Sequence, residues 1–284
     1  LNLLDAIEKR AAESQARVAI GVGRADERLV KSALLARVKE VVLVVNKREE
    51  MGVRGMLEAL SRVGSSMGCV EVSGVDDPSR ALVAMLARGE VDGCVRGNLS
   101  AGRTLGGLKK VFGLEKLYRA ALLETPSGGE FLLAPVGIDE GVSLAERLEF
   151  IRLGTGLLAD FGVRARLAVL SGGRLEDVGR DPGVDRSLAE ADFLVNRARE
   201  RGIPAIHPGI LIEEAVKNAN FILAPDGVNG NLIFRTLTLV GGGKGHGAPL
   251  LNQQIVFVDT SRAKSDYTTA IMLAAALTGI KQPD

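Results

Sequence analysis

From Arg17 onward the chain alternates short β-branched runs with amphipathic helical stretches, and no other feature restricts its fold so strongly. VAIGV (18–22) precedes a helical pattern over 25–39, and VVLVV (41–45) precedes one over 49–63. CVEV (69–72) is followed by a helix over 77–88, and DGCV (92–95) by a helix opening at 98–102. This alternation is the signature of a parallel α/β sheet. At Tyr118 the rhythm breaks: YRAALLE (118–124) and EFLLAPV (130–136) flank the turn-forming cluster TPSGG (125–129), which predicts an antiparallel hairpin. Layering then resumes with a helix over 143–161, the strand RLAVL (166–170), a helix over 185–201 and the strand FILA (221–224). The strand IVFVD (255–259) and a helix over 264–277 close the chain. The expected fold is α/β, with two doubly wound subdomains and a cleft between them. Residues 1–118, completed by 248–284, form the first subdomain, and 119–247 the second.

Composition narrows the function classes. With 36 Lys and Arg against 35 Asp and Glu, the net charge of +1 offers no cationic excess for a phosphate backbone or an anionic membrane surface, so nucleic acid is not expected as a partner. The longest wholly apolar stretch, Ala270–Leu277, is well short of the roughly 18 residues that cross a bilayer. The opening LNLLDAIEKR has no apolar signal-peptide core, so a cytoplasmic protein is expected. Cys69 and Cys94 fall in apparent strands without CxxC spacing, and His207 and His246 lie far apart with no third ligand at metal spacing. No metal site is expected, and neither histidine takes a leading catalytic role.

The glycine motifs are equally restrictive. GVGRAD (21–26) places Asp26 where a dinucleotide fingerprint needs its third glycine, and GTGLLA (154–159) follows a helical pattern rather than a strand. Lys244 in GGGKGHG (241–247) is followed by Gly245 where a phosphate-binding loop needs Ser or Thr, so this run reads as a mobile or tight loop. With no nicotinamide or S-adenosylmethionine fingerprint, the cofactor is left unassigned.

Three strand-end loops carry anion-binding chemistry. In NFILAPDGVNGNLIFR (220–235) a strand ends at Pro225-Asp226 and a helix is expected to open at Asn231, where free N–H groups favour an anion; an Asn-Gly turn with a helix cap is an equal alternative. Asp259-Thr260-Ser261-Arg262 repeats the form, and its arginine suits a phosphate or carboxylate, with an N-capping Ser261 and a solvated arginine as the alternative. LSGGRLEDVGR (170–180) exposes Ser171, Gly172, Gly173 and Arg174 after a third strand.

These segments, in order and spacing, resemble the phosphate acetyl/butyryltransferase superfamily over about residues 90–284. The family's FPDlxxGN segment is matched at Pro225, Asp226, Gly230 and Asn231, and its DxSRG ending at Asp259, Ser261 and Arg262, with Ala263 for the glycine. VDGCVRGNLSAGRT (91–104) resembles a further family segment. Two departures stand out. Gly173 and Arg174 replace the hydroxyls of the SxST loop, and Thr268 occupies the catalytic Asp offset, Asp266 falling two residues early. Within the superfamily, chain length, APDGVNGN and DTSRAKSDY look most like the methanogenesis marker protein 4, or MtxX, family of methanogenic archaea, carried as methyltransferase subunits. The DxHxxG corrinoid signature and the HxC zinc motif are absent from the chain, so the resemblance implies methyl transfer beside partner subunits that hold the methyl carrier. Phosphate acyl transfer and non-catalytic ligand binding are the alternatives, and a homodimer is expected. The resemblance assigns Ser261, Arg262 and Asp266 to catalysis. Gly97, Asn98, Thr104, Ser171, Asp226, Gly230 and Asn231 would contact a small anionic or phosphorylated ligand.

Overall fold

The β-branched runs become parallel strands in the computed structural model, which describes residues 2–63, 68–251, 255–261 and 266–280. In chain order the first elements are α1 (Leu3–Glu13), β1 (Arg17–Val22), α2 (Glu27–Leu35), β2 (Glu40–Asn46), α3 (Lys47–Val63) and β3 (Cys69–Val75). Then come α4 (Pro78–Ala87), β4 (Gly93–Val95), α5 (Ala101–Phe112), β5 (Ala121–Glu124), β6 (Glu130–Ala134), α6 (Leu144–Asp160) and β7 (Leu167–Val169). The remainder is α7 (Pro182–Glu200), β8 (Ala205–Ile206), α8 (Ile212–Asn218), β9 (Phe221–Leu223), α9 (Gly227–Arg235), β10 (Lys244–Pro249), β11 (Val256–Asp259) and α10 (Thr268–Thr278).

The chain divides into two compact units. The first comprises Leu4–Lys116 and His246–Asp284. Its strands run in the order β3-β2-β1-β4-β11-β10, all parallel except β10, which is antiparallel to β11. β1 and β2 are buried along almost their whole length, which explains their unbroken apolar spelling. The nearly all-apolar α10 packs on β1, β4 and β11, while α4 lies on β1 and β2 with α5 against it. The Asp26 carboxylate accepts from the Arg28 N–H to cap α2, and Asp77 with Pro78 starts α4 in the same manner.

The second unit is Leu117–Gly245 together with the residues up to Leu3. Its strand order is β5-β6-β9-β7-β8. β5 and β6 form the expected antiparallel hairpin, and β6, β9, β7 and β8 are mutually parallel. The GTGLLA segment lies inside α6, where a methyl group on Gly154 would come within 2.4 Å of the Phe221 ring. Close helix–sheet packing accounts for that glycine without a nucleotide.

The structure corrects several expectations. Lys244–Pro249 is a strand rather than a loop, formed because its end pairs with β11 (Ala248 opposite Asp259, Pro249 opposite Val258) and His246 is buried. The helix expected to open at Asn231 begins at Gly227, so Asn231 lies within it. α7 starts at Pro182, capped by Asp181, ahead of the expected Asp185. α1, β8 and α8 have no counterpart in the sequence pattern: β8 has only two residues and α8 only seven, too few to show a period. Cys69 is exposed at the start of β3, whereas Cys94 is buried and its thiol is pushed up by that burial.

Candidate functional site

In the first unit, chemistry-bearing residues collect at the carboxyl ends of β1, β4 and β11, where open α/β sheets place their ligands. Gly97 has φ +63°, and a methyl group there would lie 1.9 Å from the Gly21 carbonyl oxygen, so only glycine allows the two loops to approach. The Asn98 carboxamide oxygen accepts from the Gly23 N–H (2.6 Å), and its amide donates to the Arg24 carbonyl (2.9 Å). Asn98 thereby closes the β1–α2 loop. Arg96 is buried, donating through Nε to the Asp259 carboxylate and through Nη1 to the Leu99 carbonyl. Thr260 Oγ1 donates to the Gly97 carbonyl (2.7 Å), and its N–H donates to Asp259 Oδ1 (2.9 Å). Residues 96–98 and 259–260 are therefore one hydrogen-bonded block, with the half-buried Ser261 at its edge. α5 starts beside it, and Ser100 at its N-cap makes no side-chain capping bond. The partial positive charge of that helix end is not offset by its own cap.

The other first-unit candidates fare differently. Arg262 lies outside the described residues. Asp266 is exposed, and its Oδ1 accepts from the Thr268 N–H (2.8 Å) and from Ser32 Oγ (3.3 Å), so it ties the start of α10 to α2. Thr104 is a correction: it is fully buried and donates to Ser79 Oγ (3.1 Å), which makes it a packing contact between α5 and α4.

In the second unit, the carboxyl ends of β6, β9 and β7 lie side by side. Here too the structure alters the expected roles. Asp226 is the N-cap of α9: one carboxylate oxygen accepts from the Asn229 N–H (2.8 Å), the other from the Asn229 amide (2.8 Å). The Gly227 N–H donates to the Glu140 carbonyl (3.0 Å). At this turn, where the sequence expects free N–H groups, the Asn229 N–H is taken by a carboxylate of the chain and the Gly227 N–H by a carbonyl. Asn231 donates its amide to the Val136 carbonyl (3.0 Å), and a methyl group on Gly230 would lie 1.8 Å from the Pro135 carbonyl oxygen. Both residues hold the 135–140 loop against α9. That loop is fastened from within, since Arg119 Nε donates to Glu140 Oε1 (2.6 Å) and the Gly137 N–H to Glu140 Oε2 (3.1 Å). Burial pushes the Glu140 carboxyl above its ordinary range, outweighing the pull of Arg119.

Ser171 lies just beyond β7 and is buried. Its Oγ is 3.0 Å from the Gly173 carbonyl oxygen, and it is also 2.9 Å from His207 Nε2. His207 follows β8, and its Nδ1 is 2.7 Å from Asp192 Oδ1 on α7. The sequence points to Ser171 but gives His207 no leading role and Asp192 none at all. No local spacing could have found the set, because Asp192 and Ser171 are 15 and 36 residues from His207. Among the described residues, no group of three or more His, Cys, Asp or Glu side chains is arranged to hold a metal ion.

No family model matches the chain. Its similarity to curated proteins is nonetheless end to end: it is 45% identical over 283 residues to the "Putative methyltransferase mtx subunit X" of Methanosarcina mazei, covering 99% of this chain and 96% of that one. The chain belongs to the MtxX family. A more distant member, described as an uncharacterized methyltransferase of Methanocaldococcus jannaschii, is 42% identical over 201 residues, 68% of this chain and 81% of the relative. Among solved structures, the family's fold is similar to a branched-chain phosphotransacylase from Enterococcus faecalis, with TM-score 0.67, 17% identity and coverage of 93% and 99% of the two chains. It is also similar to the EutD phosphotransacetylase from Staphylococcus aureus, with TM-score 0.64, 16% identity and coverage of 97% and 98%. At such identities the likeness is one of fold. No helix among the described residues is long and apolar enough to cross a membrane.

Proposed function

We propose that this chain is a transferase subunit of the MtxX type that takes part in corrinoid-dependent methyl transfer beside partner subunits holding the methyl carrier. The observation that carries this reading is the end-to-end similarity to proteins named as methyltransferase subunits. The chain lacks the DxHxxG and HxC motifs of corrinoid binding and thiol activation, so the carrier and the thiol-activating metal belong on the partners. The contribution of this subunit is to hold a small anionic or phosphorylated ligand at the carboxyl ends of β4 and β11. Three features support that role: the N-terminus of α5 without a side-chain cap, the adjoining Gly97–Asn98 loop and Ser261. Arg262 follows Ser261 and supplies the guanidinium clamp.

The test is reconstitution of methyl transfer from a methylated corrinoid protein to its acceptor, with the partner subunits present and this chain supplied or omitted. Omission is expected to lower the rate at least about tenfold, equivalent to about 1.4 kcal/mol in the barrier. An unchanged rate contradicts the proposal. Phosphate acyl transfer is the alternative, supported by the fold alone.

A further inference from the structure

The Asp192–His207–Ser171 chain has the distances of a hydrolase triad, but its burial runs the opposite way. In a serine-hydrolase triad the carboxylate is the buried member. Here the Asp192 side chain is 56% exposed, the His207 side chain 6% and Ser171 2%. The N–H groups that would form an oxyanion hole next to Ser171 are also engaged: its own donates to the Gly209 carbonyl (3.0 Å), and that of Gly172 donates to Ser187 Oγ (2.9 Å). This arrangement is ill suited to a nucleophile. It is well suited to taking up and returning a proton at a hydroxyl that water does not reach.

We propose that Asp192, His207 and Ser171 form a proton relay, with Ser171 exchanging a proton with a ligand hydroxyl or thiol held at the end of β7. The relay shares no residue with the anion site of the first unit. A carboxylate only accepts, so in the proposed relay the imidazole nitrogen facing Asp192, Nδ1, carries a proton. In the neutral ring Nε2 is then bare, and the Ser171 hydroxyl donates to it. When the ring is protonated, Nε2–H donates to Ser171 Oγ and the hydroxyl turns to the Gly173 carbonyl, its second partner at 3.0 Å. One proton on the ring therefore decides which way the Ser171 hydroxyl points. In transfer, the ligand O–H or S–H bond breaks as its proton joins Ser171 Oγ, while the original hydroxyl proton passes to Nε2. The products are the ligand alkoxide or thiolate and an imidazolium whose Nδ1–H still faces the Asp192 carboxylate; the reverse sequence returns the Nε2 proton through Ser171 and restores the starting ring. Asp192 is a positioning residue, because it sets which ring nitrogen is bare.

The fold holds this geometry firmly. β7 and β8 pair with Leu167 opposite Ala205 and Ala168 opposite Ile206, so Ser171 and His207 leave neighbouring strands at the same end. α7, which carries Asp192, packs on both strands. Gly209 has φ +68°, and a methyl group there would lie 2.7 Å from the Gly173 carbonyl oxygen, so the two loops meet at a glycine.

The full chain has only two histidines, so long-range proton–nitrogen NMR on protein labelled in its histidine rings resolves both, with His207→Gln giving the assignment. At pH 8 the expected wild-type signature for His207 is a protonated Nδ1 and a bare, hydrogen-bonded Nε2. Ser171→Ala should move the Nε2 resonance and leave Nδ1 in place. Asp192→Ala, at an exposed helix position, should raise the population of the Nε2–H tautomer about tenfold. A wild-type ring protonated at Nε2 and bare at Nδ1 overturns the relay, and so does a tautomer ratio unaffected by Asp192→Ala. Neither outcome depends on binding any ligand.

Discussion

Gly227 and Gly230 are set by the carbonyl groups that face them. A methyl group on Gly227 would lie 1.6 Å from the Gly137 carbonyl oxygen, and one on Gly230 would lie 1.8 Å from that of Pro135; neither backbone oxygen can move without the loop. Gly230→Ala should therefore cost about 2–3 kcal/mol in denaturant unfolding. Gly156, exposed on α6 with nothing within 4 Å of where a methyl group would sit, should respond in the opposite sense: Gly156→Ala gains about 0.5–1 kcal/mol in the same measurement. At Arg262 the expected effect is on binding. Arg262→Ala should weaken inorganic phosphate, measured by calorimetric titration, by about 2–5 kcal/mol with the unfolding midpoint unchanged, and Arg262→Lys should recover only part. Lost stability with unaltered phosphate affinity would assign Arg262 a structural role instead. The sequence marked Gly97, Asp226, Gly230 and Asn231 as special, but not why. Gly97, Gly230 and Asn231 are each demanded by a neighbouring loop that only the folded chain brings within reach, whereas Asp226 caps its own helix through Asn229.

Helices and strands were legible wherever apolar periodicity ran long enough, as in β1, β2, α6 and the β5–β6 hairpin. Short elements and those made by pairing were not. β10 is spelled KGHGAP, which has no strand propensity of its own and is extended because β11 lies beside it. The sequence misplaces the start of α9 by a turn because Asp226, which reads as a ligand group, is the N-cap. Caps also set the acid response of the elements. The side-chain hydrogen bond from Arg28 holds the Asp26 carboxyl below its usual range, helped by the Arg28 backbone N–H. Its contribution to stability is complete above the ordinary aspartate range and is lost as pH falls through the lower folded value. Asp26→Ala should cost about 1 kcal/mol at neutral pH, whereas Asp26→Asn should keep most of the cap and lose part of the acid sensitivity. An unfolding midpoint followed from pH 7 to pH 2 checks both. An Asp26→Asn profile parallel to wild type would show that the Asp26–Arg28 pair carries no linkage.

Across the whole molecule, the chain has a fold similar to that of phosphotransacylases. By its resemblance to that superfamily, the SxST hydroxyls are replaced by Gly173 and Arg174, and the acid position is held by Thr268. In this structure Thr268 opens α10, and the nearby Asp266 accepts from its N–H. Acetyl transfer needs a coenzyme A thiol deprotonated beside a stabilised oxyanion, and by that resemblance no carboxylate stands at the offset after Ser261 from which the superfamily's acid acts. The proposed function therefore has a phosphotransacylase-like fold serving a chemistry other than acyl transfer. The direct test is coenzyme A-dependent consumption of acetyl phosphate by the purified chain. The expected result is a rate indistinguishable from the uncatalysed background at every substrate concentration, and saturable turnover by the chain alone would show that acyl transfer has been retained.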